Sequence, residues 1–168
     1  MRIILIIIIC VLLSNSAQAG CDDALGDGVD YSNCQFSDSQ DLKGSYLPNS
    51  NLSFAGFIQV NFDKSIMMNS ILAFGTFPES SFIRANLYES NLQGGNFEKS
   101  DFTSSNLTRV NFTGASLIEA NFKNSILFEA NFSGANILNA QFEGANLNNA
   151  TWTDGKKCGQ DSIGTCKK

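Results

Sequence analysis

Chemistry in this 168-residue chain would rest on its cysteines and carboxylates, because the chain contains no histidine. Without an imidazole it lacks the side chain that most readily takes and gives protons near neutral pH. It also lacks a Gly-x-Ser-x-Gly elbow to expose a nucleophilic serine and a glycine-rich loop to cradle phosphate. No two of the five cysteines are spaced Cys-x-x-Cys, which argues against zinc and for disulfides formed in an oxidising compartment. The sixteen acidic side chains outnumber the eleven basic ones. Basic residues gather only in the short tail Lys156, Lys157, Lys167 and Lys168, too few to make the stripe that nucleic-acid binding requires. The expectation is no catalytic residue, no metal, no cofactor and no nucleic-acid partner.

What positions the side chains is a repeat. From Leu42 to Trp152 an apolar residue returns at every fifth position, 23 times in succession, as in Phe62, Met67, Leu72, Phe77 and Phe82. Two places earlier stands a small side chain, nine times Ala and nine times Ser, and the residue between is Asn in 11 of the 23 cases. A period of five fits neither a helix nor a strand. The chain therefore bends at a fixed interval and winds into a solenoid in which each turn buries itself against its neighbours. The identity of the apolar residue recurs best at a lag of four repeats, 12 of 19 comparisons against 7 of 21 at a lag of two. Twenty residues thus make one coil. Phe62, Phe82, Phe102, Phe122 and Phe142 then stack in one column, and Leu87, Leu107, Leu127 and Leu147 in another. Successive layers each hold two rings and two aliphatic side chains, the constant volume a close-packed shaft requires.

The motif Ala-(Asn/Asp)-(Leu/Phe)-x-x, seen in Ala130-Asn131-Phe132-Ser133-Gly134 and Ala145-Asn146-Leu147-Asn148-Asn149, resembles the pentapeptide-repeat family. The resemblance implies an all-β fold, a right-handed quadrilateral β-helix, here of about six coils and roughly 28 Å long at the usual strand spacing.

The remaining chain reads as flanks to that rod. Residues 1–19, with Arg2, the apolar run Ile3 to Leu13 and Ala17-Gln18-Ala19, have the form of an export signal cleaved near Ala19, and the apolar run is too short to span a bilayer. Lipidation of Cys21 is the competing reading, disfavoured by Gln18 where an aliphatic residue is wanted. Residues 20–39 form an N-terminal cap segment, 40–154 the β-helix, and 155–168 a C-terminal loop and tail. A rod this long holds its ends too far apart for a bridge between them, so Cys21 pairs with Cys34 and Cys158 with Cys166. Each closed loop contributes about 2.5 to 3 kcal/mol, and the bridged segments cap the open edges of the solenoid. One residue too many between Phe36 and Leu42, near Ser39, marks the first coil as irregular.

The outward positions carry alternating charges one coil apart, Glu79, Lys99 and Glu119 in one column and Glu89, Arg109 and Glu129 in another. Such exposed pairs are worth at most about 1 kcal/mol. The resemblance also implies an alternative role, mimicry of duplex DNA to protect gyrase, but that needs a single-sign field in the cytoplasm. The sequons at Asn51, Asn106, Asn111, Asn131 and Asn149 are by-products of the repeat. The early coils are different: Tyr46, Phe54, Ile66, Met68, Ile71, Phe74 and Tyr88 point outward on two adjacent faces. Such a patch marks a protein partner or self-association, unless the segment from Cys21 to Ser39 folds over it. The chain is expected to be a non-enzymatic scaffold or binding module, periplasmic or secreted, with no membrane span in its mature form.

Overall fold

A computed structural model of the chain describes residues 21, 24–36 and 38–168; the expected leader, 1–19, lies outside them. Parallel bridges join residues twenty apart throughout the repeat, as in Asn61↔Ser81, Ser81↔Asp101, Asp101↔Asn121 and Asn121↔Gln141. Four such rows, beginning at Asp41, Tyr46, Asn51 and Gly56, make four faces. Each bridge is one residue long, because the chain turns again before a strand extends. At each corner the second turn residue adopts positive φ, for example Asn69 at 57° and Gly114 at 67°. Glycine and asparagine tolerate this region well.

The fifth-residue column lines the shaft. Phe62, Phe82, Phe102 and Phe122 are completely buried, and their rings lie nearly parallel with centroids 5.1, 4.9 and 5.1 Å apart. A second stack runs Phe57, Phe77 and Phe97. A Cβ added to Gly75 or Gly95 would come within 2.5 or 2.6 Å of the Phe77 or Phe97 ring, so the small residue gives the ring its space. Asparagine recurs before the lining residue because its Oδ1 accepts from the amide two residues on, as where Asp63 N–H donates to Asn61 Oδ1 at 2.9 Å. In three sequons that oxygen also accepts the hydroxyl of Ser53, Thr113 or Ser133, which explains why the repeat generates sequons.

Most corners close with a bond from the small residue's amide back to the lining residue's carbonyl, such as Ala115 to Phe112 at 3.0 Å. Two early corners use a hydroxyl from the next coil instead. Ser70 Oγ donates to Leu47 C=O at 2.7 Å and accepts from Ser50 N–H at 3.3 Å. Ser80 Oγ does the same between Phe57 and Val60, at 3.0 and 3.1 Å.

The ends depart from this regularity. Asp30 pairs with Asn51 and Gln35 with Gly56, an offset of 21, whereas Asp41 pairs with Asn61 at twenty; the extra residue lies between those positions. Cys21 and Cys34 stand at disulfide distance, with Cα atoms 5.7 Å apart, as do Cys158 and Cys166 at 5.0 Å. After Trp152 the chain reverses, and Lys157 and Ile163 form antiparallel bridges with Thr151 and Asn146. This tail covers only part of the last coil. Ile137 and Trp152, expected in the lining, are therefore only partly buried. No helix among the described residues is long and apolar enough to cross a membrane.

Candidate functional site

The outward residues of the early coils sit on two kinds of position. Tyr46, Ile66 and Ile71 occupy bridge positions, where every side chain points away from the shaft, and Tyr46 pairs with Ile66. Phe54 and Phe74 occupy the second turn residue of adjacent coils, both at φ 58°. Left-handed backbone costs an ordinary L-residue roughly 1–2 kcal/mol, and most other corners place glycine, asparagine or a charged residue there. Phe54 and Phe74 remain 55% and 50% exposed. Their rings stack at 5.3 Å and 15°, and Phe74 lies so close over Gly94 that a Cβ there would meet the ring. Both rings thus turn their faces to neighbours and their edges to solvent.

Tyr46 is 54% exposed, and Ile66 and Ile71 are exposed as well. Two residues expected in the patch belong to it only at its margin. Met68 and Tyr88 are half-buried, as are most first turn residues of the middle coils. Tyr88 is held further by its hydroxyl, which accepts from Arg109 Nη1 at 3.2 Å. Ile58, exposed at the next corner, extends the patch; its apolar side chain at a corner position was the available signal.

The described residues of the N-terminal segment do not cover this surface. They run along the corner at Pro48 to Ser50: Gly28 N–H donates to Pro48 C=O at 2.9 Å, Asn49 Nδ2 to Asp27 Oδ1 at 2.8 Å and Ser50 Oγ to Gly26 C=O at 3.2 Å. The exposures quoted above hold with that segment in place.

The later coils present charge and amide. Arg109 reaches Glu89 at 3.0 Å and Glu129 at 2.7 Å. Hydrogen bonds from Tyr88 and Arg109 hold the Glu89 carboxyl below its usual range. Asp30 is held low as well, chiefly by the Ser32 amide. No group of side chains among the described residues could hold a metal ion.

A family model described as pentapeptide repeats matches eight copies over residues 72–103, 80–117 and 105–137. Among solved structures the chain is similar to HetL, a pentapeptide repeat protein involved in heterocyst differentiation regulation from the cyanobacterium Nostoc sp., at 21% identity and TM-score 0.59 over 80% of this chain and 65% of that one. It is similar also to two trypsin-treated forms of QnrB1, a plasmid-mediated fluoroquinolone resistance protein, at 19% and 18% identity and TM-score 0.57. Those matches cover 71% of this chain and 60% and 66% of the QnrB1 chains. The chain spans just under two thirds of the length of each. The likeness is one of fold and implies right-handed winding of the β-helix. No curated protein matches the sequence.

Proposed function

We propose, from the premise that this chain belongs to the pentapeptide-repeat family, that it is an exported, non-enzymatic binding module whose early coils dock a protein partner. One observation carries the reading: Phe54 and Phe74 hold a costly backbone conformation while half exposed, with Tyr46, Ile66 and Ile71 beside them. The other corners share this backbone conformation, so what sets these two apart is a large apolar ring kept half exposed, and contiguous exposed apolar surface is the usual mark of an interface. About six coils of shaft, capped by the bridged segments 20–39 and 155–168, would hold that surface rigid, so binding requires little ordering. Export follows from the leader-like residues 1–19 and agrees with cysteine pairs at disulfide distance.

The gyrase-protecting alternative, suggested by the fold of QnrB1, asks for an unbroken acidic face; Arg109 between Glu89 and Glu129 interrupts the column that would provide it.

The test is crosslinking in the native host with the double variant Phe54→Lys, Phe74→Lys. Loss of the crosslinked species with unchanged circular dichroism supports the reading; an unchanged crosslinking pattern overturns it. The mass of the isolated protein decides export separately, since cleavage removes 19 residues.

A further inference from the structure

The rod stops half a coil short at its C-terminal end. Asp154 stands twenty residues after Gly134, at the corner from which a further turn would enter the row of Asn136; the chain reverses there instead, with Gly155 at φ 78°. The returning tail pairs with the rows of Asn146 and Thr151 only. On the other two rows, among the described residues, the amides of Ile137 and Phe142 and the carbonyls of Ala135 and Ala140 have no backbone partner. One coil earlier the same groups hold the next coil: Leu117 N–H donates to Asn136 C=O, and Asn136 N–H to Ala115 C=O.

Exposure marks the same opening. Ser116 and Asn121, one coil earlier on these rows, are half-buried, whereas Asn136 and Gln141 are exposed. Ile137, Ala140 and Trp152 are only partly buried, and Leu138, at the corner between the two rows, is 60% exposed. The bridged tail keeps to its own side. Cys158 N–H donates to Ala150 C=O and Gly164 N–H to Ala145 C=O, which holds it on the rows of Thr151 and Asn146.

Cations border the opening. Lys156 follows the reversal at the Asp154 corner, Lys157 and Lys167 are exposed on the tail, and Lys168 is paired with Asp154 itself. Lys156, Lys157 and Lys167 have no carboxylate partner among the described residues. Glu143, beside the open row of Gln141, is already paired with Lys123 at 3.5 Å.

We propose that the open half-coil docks an extended, acidic segment of a partner protein, which completes the coil by parallel strand pairing. Each feature of the opening fixes one property of the occupant. The unpaired amides and carbonyls take its backbone, as a sheet edge takes an added strand. Ile137 and Phe142 lie five residues apart, so the occupant needs two apolar side chains at that interval, a small residue two places before each and glycine or asparagine at the corner between. The lysines ask for carboxylates at its outward positions. A second copy docking by the same end would set lysines against lysines. This surface is separate from the Phe54 and Phe74 patch and does not depend on that proposal.

The test titrates the full protein with the peptide Ala-Asp-Leu-Glu-Gly-Ala-Asp-Phe-Glu-Gly, which has that pattern, and reads Trp152, the chain's single tryptophan. Its emission should shift to the blue and saturate, because the peptide covers a partly exposed ring. Hydrogen exchange at the Ile137 and Phe142 amides should slow at least about tenfold on binding, and exchange around Phe54 and Phe74 should not change. Swapping the second Asp of the peptide with its Phe sets the apolar residues four apart at the same composition, and should weaken binding at least about tenfold. Lys156→Glu with Lys167→Glu should do the same, and raising salt from about 20 mM to about 500 mM should weaken binding at least about threefold. If circular dichroism shows the charge-reversed protein unfolded, Lys156→Gln with Lys167→Gln takes its place and should weaken binding at least about threefold. Absence of a saturable shift, equal binding of the two peptides, indifference to the lysine substitutions, or protection of the two amides by self-association without peptide overturns the proposal.

Discussion

The corners after Leu47, Phe57 and Phe77 lack the direct turn bond from the small residue, and around them the rod's exterior is apolar; from Phe102 to Phe132 every corner closes on itself and the exterior is largely amide and charge. Counted from Phe62, the lining nevertheless keeps two rings and two aliphatic side chains in each coil, and from Phe57 to Phe132 it is at most 1% exposed. The rings are neighbours in the early coils, as Phe57 with Phe62 and Phe77 with Phe82, and alternate with leucine from Phe102 onward. The ring content of the interior is therefore constant while the exterior changes. The lining fixes where the chain runs, and the corners and outward rows are free to be spent on recognition.

Substitutions break that comparison in decreasing order of effect. Phe102→Ala removes a ring stacked between Phe82 and Phe122 and should cost about 3 to 5 kcal/mol, read as a lower urea midpoint. A smaller loss would mean that the coils collapse around the gap and that the lining is less rigid than its stacking suggests. Ser80→Ala removes the hydroxyl that bridges Phe57 and Val60 and should cost about 1 to 3 kcal/mol, because a buried carbonyl and amide lose their partner. Ser105, whose hydroxyl reinforces a corner that already has its turn bond to Phe102, should lose less on the same change. Phe74→Asn sharpens the contrast by reversing sign: relief of the left-handed backbone should raise stability by up to about 1 kcal/mol while weakening partner capture.

Much of this was legible in the sequence because the period is so strict. A residue at every fifth position, with a small one two places before, leaves few ways to wind, and Phe62, Phe82 and Phe102 lie one above another as that reading requires. Burial on the outside was less legible. Met68 and Tyr88 look as outward as Phe74 in a list of apolar exceptions, yet the first and second corner residues differ in cover, a distinction that periodicity alone does not draw. The end of the rod was also beyond reach: nothing in the aperiodic residues after Trp152 says that the chain reverses, and so nothing warned that Ile137 would be left partly uncovered. The hydroxyl bridges of Ser70 and Ser80 escaped for a related reason, since serine and alanine serve equally as the small residue, and only contact between coils tells them apart.

The constant interval of twenty residues between paired positions has a further bearing on how such a molecule changes in length. Removing residues 103–122 would bring Phe102 to the place of Phe122 beneath Phe142, shortening the rod by one step of about 4.8 Å and leaving its two ends facing as before. Excising five residues would instead turn one end by a quarter relative to the other. Gene duplication and loss can thus tune this protein like a graduated gauge, in whole divisions, with spacing and orientation of whatever sits at its tips set by a simple count.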